Sequence, residues 1–245
     1  MRNSSASNRR QPPRKTRTTA TLVAKADLLQ QDLLSWAANN GRTFPWRKRL
    51  PLWQALVVEV LLQRTRAEQV VPVFREFRKR YTTAPSFGQA SHDDIAELIA
   101  PLGLRWRVRS LIGLARALGN LKTVPRDPRQ LKELPGVGSY AASASLSFHA
   151  GVRATIIDSN VVRVLCRLVN VPYDGETRRK KWLVDLADKL TPVDDYKDYN
   201  YALLDFATVV CRPVRPLCGG CPLTAYCAWS QRSRFVVRQE GIEHG

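Results

Sequence analysis

Two carboxylates in this chain have neighbours that set them opposite tasks. Between Leu52 and Leu62 the run LWQALVVEVLL has only two polar side chains, Gln54 and Glu59. A helix apolar nearly all round is packed on most sides, so Glu59 is expected to point into the interior or a cleft. Burial without a partner is costly for a carboxylate and raises its pKa until it keeps its proton, the state a general acid needs. Helical spacing would put Gln63 and Arg66 on the same face, at i+4 and i+7, adding an amide and a guanidinium. The competing reading of a lone mid-helix Glu is a structural ion pair or a partly exposed side chain. The second carboxylate, Asp158, follows Ile156 and Ile157 at the start of a helical run. As an N-cap it would accept backbone N–H bonds and feel the positive helix end, both of which favour a negative charge. Most N-cap aspartates are structural, so this position alone decides little. One carboxyl that holds a proton and one that stays ionised suit a reaction through an oxocarbenium-like sugar cation, the logic of glycoside hydrolysis. Breaking an N-glycosidic bond in DNA is a reaction of that kind.

Two further motifs carry chemistry. Leu134-Pro135-Gly136-Val137-Gly138-Ser139-Tyr140 joins two helical segments. Gly136 and Gly138 allow a tight turn and close backbone approach, so the amides around Val137 and at the next helix start could hold a phosphate without reading any base. An ordinary helix–helix turn would use the same residues. Near the other end, Cys211-x6-Cys218-x2-Cys221-x5-Cys227 confines four thiols to a short loop. Zinc is the default for four thiolates, but the common ribbon places about 15–20 residues between two CxxC pairs, and that interval is missing here. A [4Fe–4S] cluster fits a short all-cysteine loop better. The fifth cysteine, Cys166, sits among Val162, Leu165 and Val169 and is expected in the core.

The elements that must position these groups are helical. From Asp27, Leu29, Leu33, Trp36 and Ala37 follow a helical period that Gly41 is placed to end. Similar runs follow at about 52–64, 67–80, 92–100, 107–119, 139–149, 160–169, 178–190 and 199–210, with few alternating strand patterns, so the fold class is all-α. The chain has 245 residues, 44% of them hydrophobic, enough for a core in one or two domains. A formal charge of +18 points first to nucleic acid, by counterion release. No stretch approaches roughly 18 consecutive apolar residues, so no membrane span is expected. Residues 1–26 carry Arg2, Arg9, Arg10, Arg14, Lys15, Arg17 and Lys25 without an acid, and are expected to form a flexible basic arm. A transit peptide would share that composition, but an amphipathic pattern is hard to find. Five cysteines crowded towards one end argue against a secreted disulfide framework and for a reducing compartment.

In order along the chain, Phe44-Pro45-Trp46-Arg47, Glu59 to Thr65, Leu102-Gly103-Leu104, Leu134 to Gly138, Asp158 and the cysteine loop resemble the signature elements of the helix-hairpin-helix DNA glycosylase superfamily with an iron–sulfur loop. That family includes endonuclease III, the adenine glycosylase MutY and the thymine–guanine mismatch glycosylases, and the resemblance runs from about Leu28 to Cys227. It implies an endonuclease III-like fold: a six-helix module over about 45–152 holding the hairpin, and an iron–sulfur module of 27–44 with 153–228, followed by a tail, 229–245. It implies that Asp158 faces the flipped nucleotide and stabilises the sugar cation or activates water. Members of the endonuclease III type carry a Schiff-base lysine where this chain has Tyr140, which cannot form one. The resemblance therefore implies a monofunctional enzyme that leaves an abasic site.

By the same resemblance Tyr140 is what the thymine enzymes carry, whereas MutY-like enzymes usually have a small polar residue there; a Glu at position 59 is shared by both and does not separate them. MutY normally continues into a further domain that recognises 8-oxoguanine, and this chain stops soon after Cys227. Thymine or uracil opposite guanine is the expected substrate, with Glu59 and Tyr140 against the extruded base. An adenine glycosylase acting opposite 8-oxoguanine, or a catalytically silent iron–sulfur DNA-binding protein, are the alternatives. By similarity Leu104 is a candidate wedge, unless it is a core staple, and Gln63 or Arg64 would fill the vacated space beside the orphan guanine. Arg163 and Arg167, one turn apart, could contact phosphates or form a solvated face. The expected partner is double-stranded DNA, bound by a monomer without a membrane, intracellular and nucleoid-associated in a bacterial or archaeal cytoplasm.

Overall fold

The computed structural model describes residues 14–103 and 105–231, with no strand among them. Twelve α-helices follow one another: α1 Arg14–Val23, α2 Ala26–Asn40, α3 Leu52–Leu62, α4 Ala67–Arg80, α5 Ala84–Gly88, α6 His92–Ile99, α7 Arg107–Asn120, α8 Pro128–Glu133, α9 Ser139–Ser145, α10 Ser159–Val169, α11 Lys181–Leu190 and α12 Tyr196–Val209. A π turn, Leu146–Ala150, extends α9.

Two large apolar cores hold these helices. One gathers buried residues from Phe44 to Leu146, with α3 at its centre: every residue from Trp53 to Leu61 is buried, as a helix apolar nearly all round requires. The other joins Leu22, Leu29 and Leu33 to α10, α11, α12 and the cysteine loop, and takes in Cys166 at 0% exposure. A small cluster of Ala144, Phe148 and Ile156 lies against Tyr140, Tyr201 and Leu204.

The expected flexible arm is corrected over part of its length. Residues 1–13 lie outside the described residues, but a helix begins at Arg14 and buries Leu22, because the TATLV stretch supplies an apolar edge that α10 and α11 cover. Short helices α5 and α8 also escape a periodicity reading, being only five and six residues long. Both are defined by caps instead. Thr83 accepts from the Ser86 N–H at 3.2 Å, and Asp127 accepts from Arg129 and Gln130 with Pro128 in the first turn.

Helices α8 and α9 form the hairpin. Gly136 has φ +77, a left-handed backbone that favours glycine, and a Cβ there would meet the Ser110 Cβ at 3.2 Å. Val137 is buried and anchors the turn, whereas a Cβ at Gly138 would meet nothing within 4 Å. The turn is thus tight on its inner side and open where α9 begins.

Candidate active site and cysteine loop

A cleft of about 880 Å³ opens in the surface, and Glu59, Gln63, Arg64, Arg66, Tyr140 and Asp158 all line it. Glu59 is 4% exposed, and its Oε2 has no hydrogen-bond partner among the described residues. Burial, reinforced by the negative charge of Asp158, pushes its pKa up to about 8. Asp158 caps α10: Oδ1 accepts the Val161 N–H at 2.7 Å, and Oδ2 accepts the Asn160 amide at 2.7 Å. Tyr140, one residue into α9, has a phenol held well above its ordinary range by burial, then by Glu59, Asp158 and Tyr201. The cleft therefore joins a carboxyl that keeps its proton, a carboxylate fixed by two donors, and a phenol that stays a donor.

The expected common helical face of Glu59, Gln63 and Arg66 needs correction, although all three reach the cleft. Helix α3 ends at Leu62; Gln63 takes ψ 120 and Arg64 the left-handed φ 54, so a turn delivers them. Three contacts hold that turn. Arg107, 1% exposed, donates from Nη1 to the Leu61 carbonyl at 2.8 Å and to Thr65 Oγ1 at 3.0 Å, and Gln63 Nε2 donates to the Gly136 carbonyl at 2.9 Å. The last contact ties the turn to the hairpin. Leu104, the candidate wedge, lies outside the described residues.

Sequence reasoning missed the buried acid that holds Arg42 and Arg47 in the cleft lining. Asp205, 1% exposed, accepts from Arg47 Nη1 and Nη2 at 2.7 Å each, and from Arg42 Nε and backbone N–H at 2.9 Å. Burial works against its charge, but the bonds from Arg47 and Arg42 hold its pKa below the usual carboxylate range. Arg47 also lies 4.5 Å over the Tyr201 ring, and Tyr201 stacks on Phe148 at 3.9 Å. A signal was there: Asp205 stands within ALLDFA, the same pattern of one acid in an apolar helix that singled out Glu59.

The four cysteines line one small cavity together with Val164, Phe206, Leu223 and Trp229. Among the described residues no three His, Cys, Asp or Glu side chains converge as a single metal ion requires. Positive and N–H groups reach the thiols: Arg167 Nη1 lies 3.4 Å from Cys211 Sγ, and the Ser230 N–H donates to Cys227 Sγ at 3.5 Å. Burial raises the Cys221 thiol and pushes Cys227 up to about 11, and nearby thiols raise both further. Four thiols around one cavity, supplied with donors for negative sulfur, suit a positively charged multi-atom centre.

The phosphate-contact and solvated-face readings of Arg163 and Arg167 are both overturned. Arg163 is 5% exposed and donates to the Cys211 and Ala207 carbonyls at 2.9 and 2.7 Å; Arg167 donates to Arg212 and Pro213 carbonyls at 2.6 and 3.0 Å. Their guanidinium groups are spent on fixing the cysteine loop to α10.

With this geometry in hand, comparison with known proteins is decisive about kinship. The description "HhH-GPD superfamily base excision DNA repair protein" matches residues 57–186, from mid-α3 into α11. The chain belongs to this superfamily. Among its relatives, a thymine-DNA glycosylase of Aeropyrum pernix is 35% identical over 214 residues, spanning 84% of this chain and 95% of that protein. Human adenine DNA glycosylase is 33% identical over 90% of this chain, which spans 42% of that longer protein. The solved structure of a thermostable thymine-DNA glycosylase superposes with a TM-score of 0.80 at 30% identity, over 85% of this chain and 98% of that one. Among the described residues no helix is long and apolar enough to cross a membrane.

Proposed function

We propose that this chain is a monofunctional DNA glycosylase that removes thymine or uracil mispaired with guanine by hydrolysing the N-glycosidic bond. The observation that carries the reading is the meeting of Glu59, Asp158 and Tyr140 in one cleft whose described lining contains arginines but no lysine. Without an amine at the reacting carbon no Schiff base forms, so the product is an abasic site. Thymine-DNA glycosylases among the relatives and the solved structures support the choice of base.

In this reading the target nucleotide leaves the stack, an extrusion that a mismatch makes cheaper, and enters the cleft. Glu59 and Tyr140 contact the base. As the C1′–N1 bond breaks, its electron pair goes to the base and positive charge grows on the sugar, beside the Asp158 carboxylate. Water adds to C1′, and Asp158 receives the proton that the departing base finally takes up. Gln63 and Arg64, on the turn tied to the hairpin, fill the vacated space with Leu104 as wedge, while Gly136, Val137 and Gly138 hold a phosphate. The modules of 45–152 and of 27–44 with 153–228 flank the cleft, and the protein works as a monomer.

We further propose that Cys211, Cys218, Cys221 and Cys227 hold a [4Fe–4S] cluster. When bound, the cluster would supply a cross-link among the four cysteines that holds the loop closed on itself. Iron and acid-labile sulfide in the purified protein test this; stoichiometric zinc without sulfide would replace it.

One gel tests the activity. Duplexes carrying T·G, U·G and A·8-oxoG are treated with enzyme and then alkali. Strand breaks at T·G and U·G, absent without alkali, are expected. Asp158→Asn should lower the rate by at least about 10²-fold while leaving duplex binding intact; unchanged turnover removes the mechanism, and a borohydride-trapped adduct with the unaltered protein removes the monofunctional assignment. Cleavage at A·8-oxoG alone would favour the second reading, which has one specific support. Glu59 keeps its proton to about pH 8, and a purine leaving group gains more from protonation than a pyrimidine does.

A further inference from the structure

Tyr201 lies in the first turns of α12 and lines the cleft beside the groups already described. Its ring has no freedom. Phe148 stacks flat on it, with centroids 3.9 Å apart and planes 7° from parallel, and the Arg47 guanidinium lies 4.5 Å over the ring; a face filled at 3.9 Å has no room for it, so it takes the other. Arg47 is itself locked by two 2.7 Å bonds to buried Asp205. With both faces covered, the ring cannot stack on a base; only the hydroxyl is left to act. That hydroxyl is buried and has no hydrogen-bond partner among the described residues. Buried hydroxyls are ordinarily paired, and one without a partner on a residue that lines the cleft is a donor left for a ligand that reaches it.

Resting on the glycosylase reading above, we propose that the Tyr201 hydroxyl donates to a ring carbonyl of the extruded pyrimidine and stabilises the charge that the base carries away. When the C1′–N1 bond breaks, the electron pair passes to N1 and spreads onto the two carbonyl oxygens of the ring. A fixed donor there is worth more in the transition state than in the ground state, because negative charge on its acceptor grows as the bond breaks. Tyr201 transfers no proton. Burial keeps its phenol protonated through the neutral range, and Glu59 reinforces this only once it has itself ionised. Tyr140, supplied by α9, approaches from another element, so the base would meet two phenol donors and the Glu59 carboxyl.

Tyr201→Phe removes the hydroxyl and keeps the stack, and single-turnover excision of thymine, uracil and 5-fluorouracil opposite guanine reads the result. Thymine excision is expected to fall about tenfold to a hundredfold, the range for losing one hydrogen bond to a charged group. 5-Fluorouracil, whose anion is the more stable, should fall least. Affinity for a duplex with an uncleavable abasic-site analogue should not change, which shows that the variant folds and binds. Equal thymine excision by variant and unaltered protein overturns the proposal, as does an equal loss on all three bases. Failure of the unaltered protein to excise any pyrimidine overturns instead the reading on which the proposal stands.

Discussion

Glu59 on α3 and Asp205 on α12 are both buried acids in apolar helices, 4% and 1% exposed, yet they end in opposite states. Asp205 is surrounded by the Arg42 and Arg47 guanidiniums and a backbone N–H, and stays ionised despite its burial. Glu59 has no cation within bonding reach among the described residues and has the Asp158 charge nearby, and it keeps its proton. Burial sets the cost of charge in both places, and the partners decide whether it is met. The satisfied acid serves as scaffold, fixing two arginines of the cleft lining from behind. The unsatisfied one is left with a proton to give.

The largest effect expected from breaking this contrast is on stability. Asp205→Ala leaves two arginines without their shared anion and should cost about 3–5 kcal/mol, read from urea denaturation; a loss under about 1 kcal/mol would make Asp205 an ordinary ion-pair partner. The second test uses pH. Glu59 has a folded pKa of about 8, above its unfolded value of 4.5, so the folded state binds more protons between them. Its contribution is fully present below the unfolded pKa and declines as pH rises towards 8, by a few kcal/mol at most. Asp205, with a depressed pKa, contributes stability above its unfolded value of 3.8 that is lost as pH falls. Glu59→Gln should therefore flatten the fall in stability between about pH 4.5 and 8 and leave the curve below that window alone. A variant curve that parallels the unaltered one would show that Glu59 ionises freely. The smallest effect belongs to Gln63→Ala, which breaks one exposed 2.9 Å bond to the Gly136 carbonyl. Stability should change by less than about 1 kcal/mol, while preference for mispaired over paired duplex in a competition assay should decline; unaltered preference would remove Gln63 from the DNA-filling set.

What was legible in the sequence follows how local each interaction is. Glu59 betrays itself through nine apolar neighbours, Asp158 through the cap it makes three residues on, the hairpin through two glycines, and the cysteine loop through spacing. Arg47 and Asp205 are 158 residues apart, and no periodicity joins them. Arg163 looked like a surface cation because helix spacing shows which residues share a face but not what that face meets; here it meets the carbonyls of the cysteine loop. The end of α3 at Leu62 was hidden because Gln, Arg and Thr are tolerated in a helix, and a buried guanidinium from α7 holds the turn that ends it.

The π turn after α9 carries the last consequence. Such a turn inserts one residue beyond the ordinary helical count, and an α-helix advances about 100° per residue. Deleting a single residue between Leu146 and Ala150 would restore the regular winding and swing everything beyond it by roughly that angle, carrying Phe148 away from the Tyr201 ring. A length change of one, with no charged residue altered, would dismantle the aromatic prop as surely as replacing it.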